Sequence, residues 1–87
     1  MTPDAIKRTD FHLWFDKRSR ISLDDLLHHL EKQKIFFVPR YDKFMSRWAI
    51  TTAYSTGLEV EKILKEFRVK YTKNDYEVDY TDLKGIK

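Results

Sequence analysis

Two segments of this chain open a helix by the same device, and the stretches around them have a different period. At Ile21-Ser22-Leu23-Asp24-Asp25-Leu26 a hydroxyl stands at the cap position, an acid follows three residues later, and Ile21 is spaced to staple onto Leu26. Leu23, Leu26, Leu27 and Leu30 then fall on one face, which predicts a helix over 22–33. Thr56 with Glu59 repeats the box, and Val60, Ile63, Leu64 and Phe67 form the second stripe, which predicts a helix over 57–67. Elsewhere apolar residues alternate or cluster in short β-rich runs. Phe11-His12-Leu13-Trp14-Phe15, Ile35-Phe36-Phe37-Val38 (stopped by Pro39) and Arg47 to Tyr54 read as strands, with Arg40 to Met45 as a loop between the last two. Arg68 to Thr72 and Tyr76 to Tyr80 also alternate, and Lys73-Asn74-Asp75 between them is a hairpin signal. Thr2-Pro3-Asp4 resembles a short helix start, and Leu83 to Lys87 a loose tail.

The order is strand, helix, strand, strand, helix, strand, with one strand more at the end. It predicts an α+β, ferredoxin-like antiparallel sheet with two helices on one face and an extra C-terminal hairpin strand, all in one domain over residues 1–87. The other face of such a sheet is open. With no cysteine in 87 residues, apolar packing must hold the fold without disulfides, and a reducing, cytoplasmic setting is expected. Hydrophobic residues are 41% and aromatics 15%, too many for a disordered tail. No apolar run approaches the roughly 20 residues of a membrane span, and MTPDAIKRTD contains no stretch suited to a signal peptide.

Charge is unevenly spread. From Lys17 to Arg47 the bases Lys17, Arg18, Arg20, Lys32, Lys34, Arg40, Lys43 and Arg47 outnumber the acids Asp24, Asp25, Glu31 and Asp42, whereas from Trp48 onward the two balance. Asp75 to Asp82 holds four acids and no base. A basic first half suits phosphate contacts. The first and third strands are central neighbours in the expected sheet. If Phe11, Leu13 and Phe15 point to the helices, His12 and Trp14 lie on the open face. If the small residues Ala49, Thr51 and Ala53 also point to the helices, Trp48 joins them there; with the opposite parity Trp14 and Trp48 are packed instead. Rings on an open sheet stack bases, and Arg18, Arg20, Arg40, Lys43 and Arg47 would line the rim and hold phosphates.

In these residues the chain resembles the RNA-recognition-motif family. Phe11–Phe15 stands where that family has its first-strand motif. Arg47-Trp48-Ala49-Ile50-Thr51 is similar to its third-strand motif, and Ser55 to Phe67 to the capped helix that follows. The likeness spans about residues 11–72. It departs from the family in having no glycine after Arg47 and Ile50 in place of a second aromatic. The resemblance implies base stacking on His12 and Trp48.

Other chemistry is poorly served. His28 and His29 are adjacent on a helix and do not converge on a metal. No nucleophile elbow or phosphate-cradling glycine loop occurs. Asp75, Glu77 and Asp79 share one strand face; such a row can bind Mg²⁺, and more often is the solvated, aggregation-resistant side of an edge strand. The expectation is a non-enzymatic domain with no cofactor and no metal, binding single-stranded RNA or DNA. The alternative is a small regulator or inhibitor, viral in type, that blocks a larger partner protein, for which Tyr41, Tyr76 and Tyr80 would suit an interface.

Overall fold

The computed structural model describes residues 5–79. Its elements, in order, are β1 (Ala5–Trp14), α1 (Leu23–Lys32), β2 (Phe37–Asp42), β3 (Arg47–Ala53), a 3₁₀ turn (Tyr54–Thr56), α2 (Gly57–Glu66) and β4 (Lys70–Asp79). The four strands form one sheet in the order β2-β3-β1-β4, and every neighbouring pair is antiparallel. The class is therefore α+β, with two helices and an open antiparallel sheet. No helix among the described residues is long and apolar enough to cross a membrane.

α1 forms as its sequence dictates. The Ser22 hydroxyl accepts from the Asp25 amide at 3.3 Å, and Leu26 and Leu30 are fully buried. α2 starts differently from expectation. Thr56 has ψ near 0 because the 3₁₀ turn runs straight into the helix, so its hydroxyl donates back to the Ala53 carbonyl at 3.1 Å and no capping box closes. Gly57 opens α2 against β1. A Cβ there would come within 3.3 Å of the Thr9 hydroxyl, so the missing side chain lets helix and strand approach.

Both helices end by one device that the sequence disguises. Lys34 and Arg68 take left-handed backbone angles (φ 60° and 57°). Beyond them, the Ile35 amide reaches the Leu30 carbonyl at 3.1 Å and the Val69 amide reaches Leu64 at 2.9 Å. The Lys34 amide to the Glu31 carbonyl at 2.9 Å and the Arg68 amide to the Lys65 carbonyl at 3.2 Å complete the same pattern. Ile35 and Val69 then drop into the core. Glycine is the usual residue at the left-handed position, because a Cβ there costs about 1–2 kcal/mol. Lys34→Gly is thus expected to raise stability by up to about 1 kcal/mol, read from a urea melt. A loss of stability would show that the lysine stem contributes packing that the geometry does not reveal.

The core joins one sheet face to both helices: Phe11 and Leu13 of β1, Ile50 of β3, Leu26 and Leu30 of α1, Val60, Ile63 and Leu64 of α2, with Ile35 and Val69. Register fixes the faces. Phe11 is opposite Ile50 and Thr9 opposite Thr52, all buried on the helix side. His12 is opposite Ala49 and Asp10 opposite Thr51, on the open side.

Several expectations are corrected. The first strand is 5–14, not 11–15, and Phe15 lies past its end, over a third exposed. β2 runs through Pro39 to Asp42, taking in part of the expected loop. It is an edge strand, where a missing N–H need break no ladder bond. The expected hairpin does not form at Lys73-Asn74-Asp75. β4 is one unbroken strand through Lys73-Asn74-Asp75, because β1 is ten residues long and pairs with it from Trp14↔Lys70 to Ala5↔Asp79. The Thr2-Pro3-Asp4 helix start, Tyr80 and the Leu83–Lys87 tail lie outside the described residues.

Candidate nucleic-acid interface

The open face is built from alternate residues of all four strands. β1 supplies Arg8, Asp10, His12 and Trp14; β2 supplies Val38, Arg40 and Asp42; β3 supplies Arg47, Ala49 and Thr51; β4 supplies Lys70, Thr72, Asn74 and Tyr76. Its middle is a hydrogen-bonded network. Asp10 accepts from the Thr51 hydroxyl at 2.6 Å, the Tyr76 hydroxyl at 3.3 Å and the Arg40 guanidinium at 3.2 Å. Burial and the nearby Asp10 carboxylate push the Tyr76 hydroxyl pKa up. His12 Nε2 lies 3.1 Å from Asp42 Oδ2. Arg40 and His12 are thereby engaged within the sheet.

Trp14 ends the face. The Arg47 guanidinium lies over its indole, 3.7 Å from the ring centroid, so one side of that ring is covered. On the β4 side Trp14 borders a shallow, mainly apolar depression of about 540 Å³ shared with Val69, Lys70, Tyr71 and Thr72. Trp48 is not on this face. It shares the parity of buried Ile50 and stands opposite Tyr41, with which it makes an edge-on pair at 5.6 Å. The small residues Ala49 and Thr51 face the open side instead. The reason is register: Phe11 needs a bulky partner under the helices, and Ile50 fills that place. Trp48 remains 40% exposed.

The expected bases gather at one end of the sheet, beyond Trp14. The β1–α1 connection carries Lys17, Arg18 and Arg20, the β2–β3 turn carries Lys43, and β3 opens on Arg47. Two further bases stand at this end, Arg68 in the α2–β4 connection and Lys70 at the start of β4, which the sequence reading did not single out. The Arg20 amide bonds to the Phe67 carbonyl at 2.8 Å and holds the two connections together. Asp16 organises the first loop, accepting from the Arg18 amide at 2.8 Å and pairing with Lys70 at 3.3 Å; these contacts hold its pKa down, the Arg18 amide first. Asp42 organises the turn, accepting from the Phe44 amide at 2.9 Å and the Met45 amide at 3.2 Å. The Met45 amide, followed by His12, lowers its pKa. Asp24 and Asp25 lie at this end too, in the first turn of α1, where the helix dipole holds them. Lys17, Arg18, Arg20, Lys43 and Arg68 have no carboxylate partner among the described residues.

Aromatic and apolar side chains stand among these bases. Phe44, at the tip of the turn, is 102% exposed, and Phe15, Tyr41, Met45 and Trp48 around it are all more than a third exposed. Phe44 is the functional candidate the sequence reading missed. The signal was present as Asp42-Lys43-Phe44-Met45-Ser46, since an Asp that bonds the amides two and three residues on marks a tight turn, and whatever follows it is presented to solvent.

On the helix side, Glu61 accepts from the Tyr71 hydroxyl at 2.5 Å and from Lys73 at 3.5 Å. The Tyr71 bond, ahead of the nearby lysines, holds the Glu61 pKa down, while burial followed by Glu61 raises Tyr71 from 10.0 to about 12. Tyr71 is raised, so it stabilises the fold below its unfolded value and loses that contribution as pH climbs from 10 towards 12. Glu61 is lowered, so its contribution is lost as pH falls through its depressed value. Tyrosinate absorbance should therefore show a component titrating near pH 12 that Tyr71→Phe removes. An unchanged titration in that variant would contradict the Tyr71–Glu61 contact. Asp75 accepts from the Thr9 hydroxyl at 2.7 Å, and among the described residues no three ligating side chains gather as a metal site. No family model, no curated protein and no solved structure matches this chain.

Proposed function

We propose that this protein is a ferredoxin-like, non-enzymatic domain that binds single-stranded RNA or DNA at the basic end of its sheet. One observation carries the reading: bases without carboxylate partners among the described residues stand beside exposed aromatic rings at a single end of the sheet. Single strands are bound by that combination, with cations along the backbone and rings under the bases, and every base offers a π-face. The strand order, with its open central pair, supports the likeness to the RNA-recognition motif. The stacking positions differ from those the likeness implies: Phe44 at the turn and the free side of Trp14 take the place of Trp48 and His12. Arg18, Arg20, Lys43 and Arg68 meet phosphates. Arg47 acts through Trp14, holding the indole flat, and Arg40 is held by Asp10.

Phe44→Ala tests this without disturbing the fold, because the side chain contacts solvent. In fluorescence anisotropy with a labelled single-stranded pool, affinity should fall by about 1–3 kcal/mol with the salt slope unchanged, since stacking releases no counterions. Equal affinity in the variant counts against the site. A protein partner is the alternative, and the contiguous exposure of Phe15, Tyr41, Phe44, Met45 and Trp48 favours it. Absence of saturable binding to any single strand at physiological salt would promote that alternative.

A further inference from the structure

Among the described residues, the outer edge of β4 is ten residues of backbone with a neighbour on one side only. The opposite edge, β2, is six residues and carries Pro39, which blunts it. β4 has neither proline nor glycine, and its register with β1 is unbroken along its whole length. Such an edge offers a row of N–H and C=O groups to another strand. Charge decides which strand fits. Lys70 and Lys73 lie in the first half of β4; Asp75, Glu77 and Asp79 lie in the second. A strand basic at one end and acidic at the other is complementary to its own antiparallel copy.

We propose that the protein forms a two-fold dimer in which β4 pairs antiparallel with β4 of a second copy, with the axis at Asn74. An axis normal to the sheet keeps helix face beside helix face. Directly opposed residues must then come from the same face, and this allows only registers centred on a residue. Centring on Asn74 sets Lys73 against the partner's Asp75 twice, both on the helix side, with Thr72 against the partner's Tyr76. Centring on Asp75 keeps two opposite-charge pairs but places Asp75 against itself, and centring on Lys73 places lysine against lysine. Like charges directly opposed destabilise a sheet pair. Asn74 is thus the one centre of the three that opposes unlike charges and no like ones. Among the described residues each copy has a single unblunted edge, so the pairing closes at two copies and does not propagate. The result is an eight-stranded sheet with a continuous open face and a basic end at each extremity. This dimer does not depend on what those ends bind.

Because the chain has no cysteine, the axis can be located directly. In the full-length protein Asn74→Cys should cross-link to a disulfide dimer under mild oxidation, because opposed Cα atoms in a sheet lie within disulfide reach. Thr72→Cys, which opposes Tyr76 and not itself, should stay uncross-linked. In sedimentation, Lys73→Glu and Asp75→Lys should each be monomeric, and an equimolar mixture of the two should recover the dimer mass, since each then meets its opposite. A wild-type protein monomeric at every soluble concentration would overturn the proposal. So would a dimer in which Asn74→Cys fails to cross-link or cross-links no better than Thr72→Cys. If the charge variants lose their far-UV circular dichroism, the cysteine pair alone decides.

Discussion

Phe11→Ala is expected to destabilise the protein by about 3–5 kcal/mol, the range for a large aromatic removed from a closed core. Phe11 is fully buried on the central strand, opposed to Ile50, and its ring meets the Tyr71 ring edge-on at 5.8 Å. It touches the layer from which both helices hang, so no flexible neighbour can fill the void. Small domains have total stabilities of about 5–15 kcal/mol, and one of this length sits towards the lower end. The variant should therefore be partly unfolded at 37 °C, with its melting temperature lowered by about 4–8 °C per kcal/mol lost. Phe44→Ala is the internal control: equal chemistry at a fully exposed position should move stability by less than about 0.5 kcal/mol. Equal losses in a urea melt of the two variants would contradict the burial of Phe11 opposite Ile50.

The second large effect is on binding. Replacing Arg18, Arg20 and Lys43 together by alanine removes three phosphate contacts drawn from two separate connections. Each contact on a single strand contributes about 0.7 to the slope of log affinity against log salt. Three lost contacts flatten the slope by about 2, and at 0.1 M salt that corresponds to roughly a hundred-fold weaker binding. The loss should be the same for all sequences, because phosphates carry no sequence information. None of the three side chains is buried, so the variant should remain folded. A hundred-fold loss confined to one sequence, or an unchanged slope, would contradict phosphate contact at this end.

The helices, β3 and the second half of β1 were legible because their signals are local. Ser22 with Asp25 and the leucine stripe determine α1 within one stretch of chain, and the apolar stripe after Gly57 does so for α2. What was misread depends on partners distant in sequence. Whether Trp48 or Ala49 faces the helices is decided by β1, which brings Ile50 opposite Phe11; alternation within β3 alone is symmetric between the two choices. The hairpin signal at Lys73-Asn74-Asp75 is sound locally, but ten residues of β1 offer more hydrogen bonds to a straight strand than a turn could recover. Pro39 ends a central strand and is tolerated in an edge strand, and only the sheet order shows which one β2 is. Lys34 and Arg68 sit where glycine would announce a helix end, so both ends were placed by period alone. Of the candidate site, Arg18, Arg20, Lys43 and Trp14 were visible in the sequence. Phe44, Arg68 and the engagement of Arg40 by Asp10 needed the fold.

The most direct test of the binding site is an amide chemical-shift titration of the isotope-labelled protein with a single-stranded oligonucleotide pool. Saturable shifts should map to Trp14, Lys17–Arg20, Lys43–Arg47 and Arg68–Lys70. The far end of the sheet, Lys7, Tyr54 and Glu77, should stay silent. No saturable shifts, or shifts centred on that far end, would contradict the account.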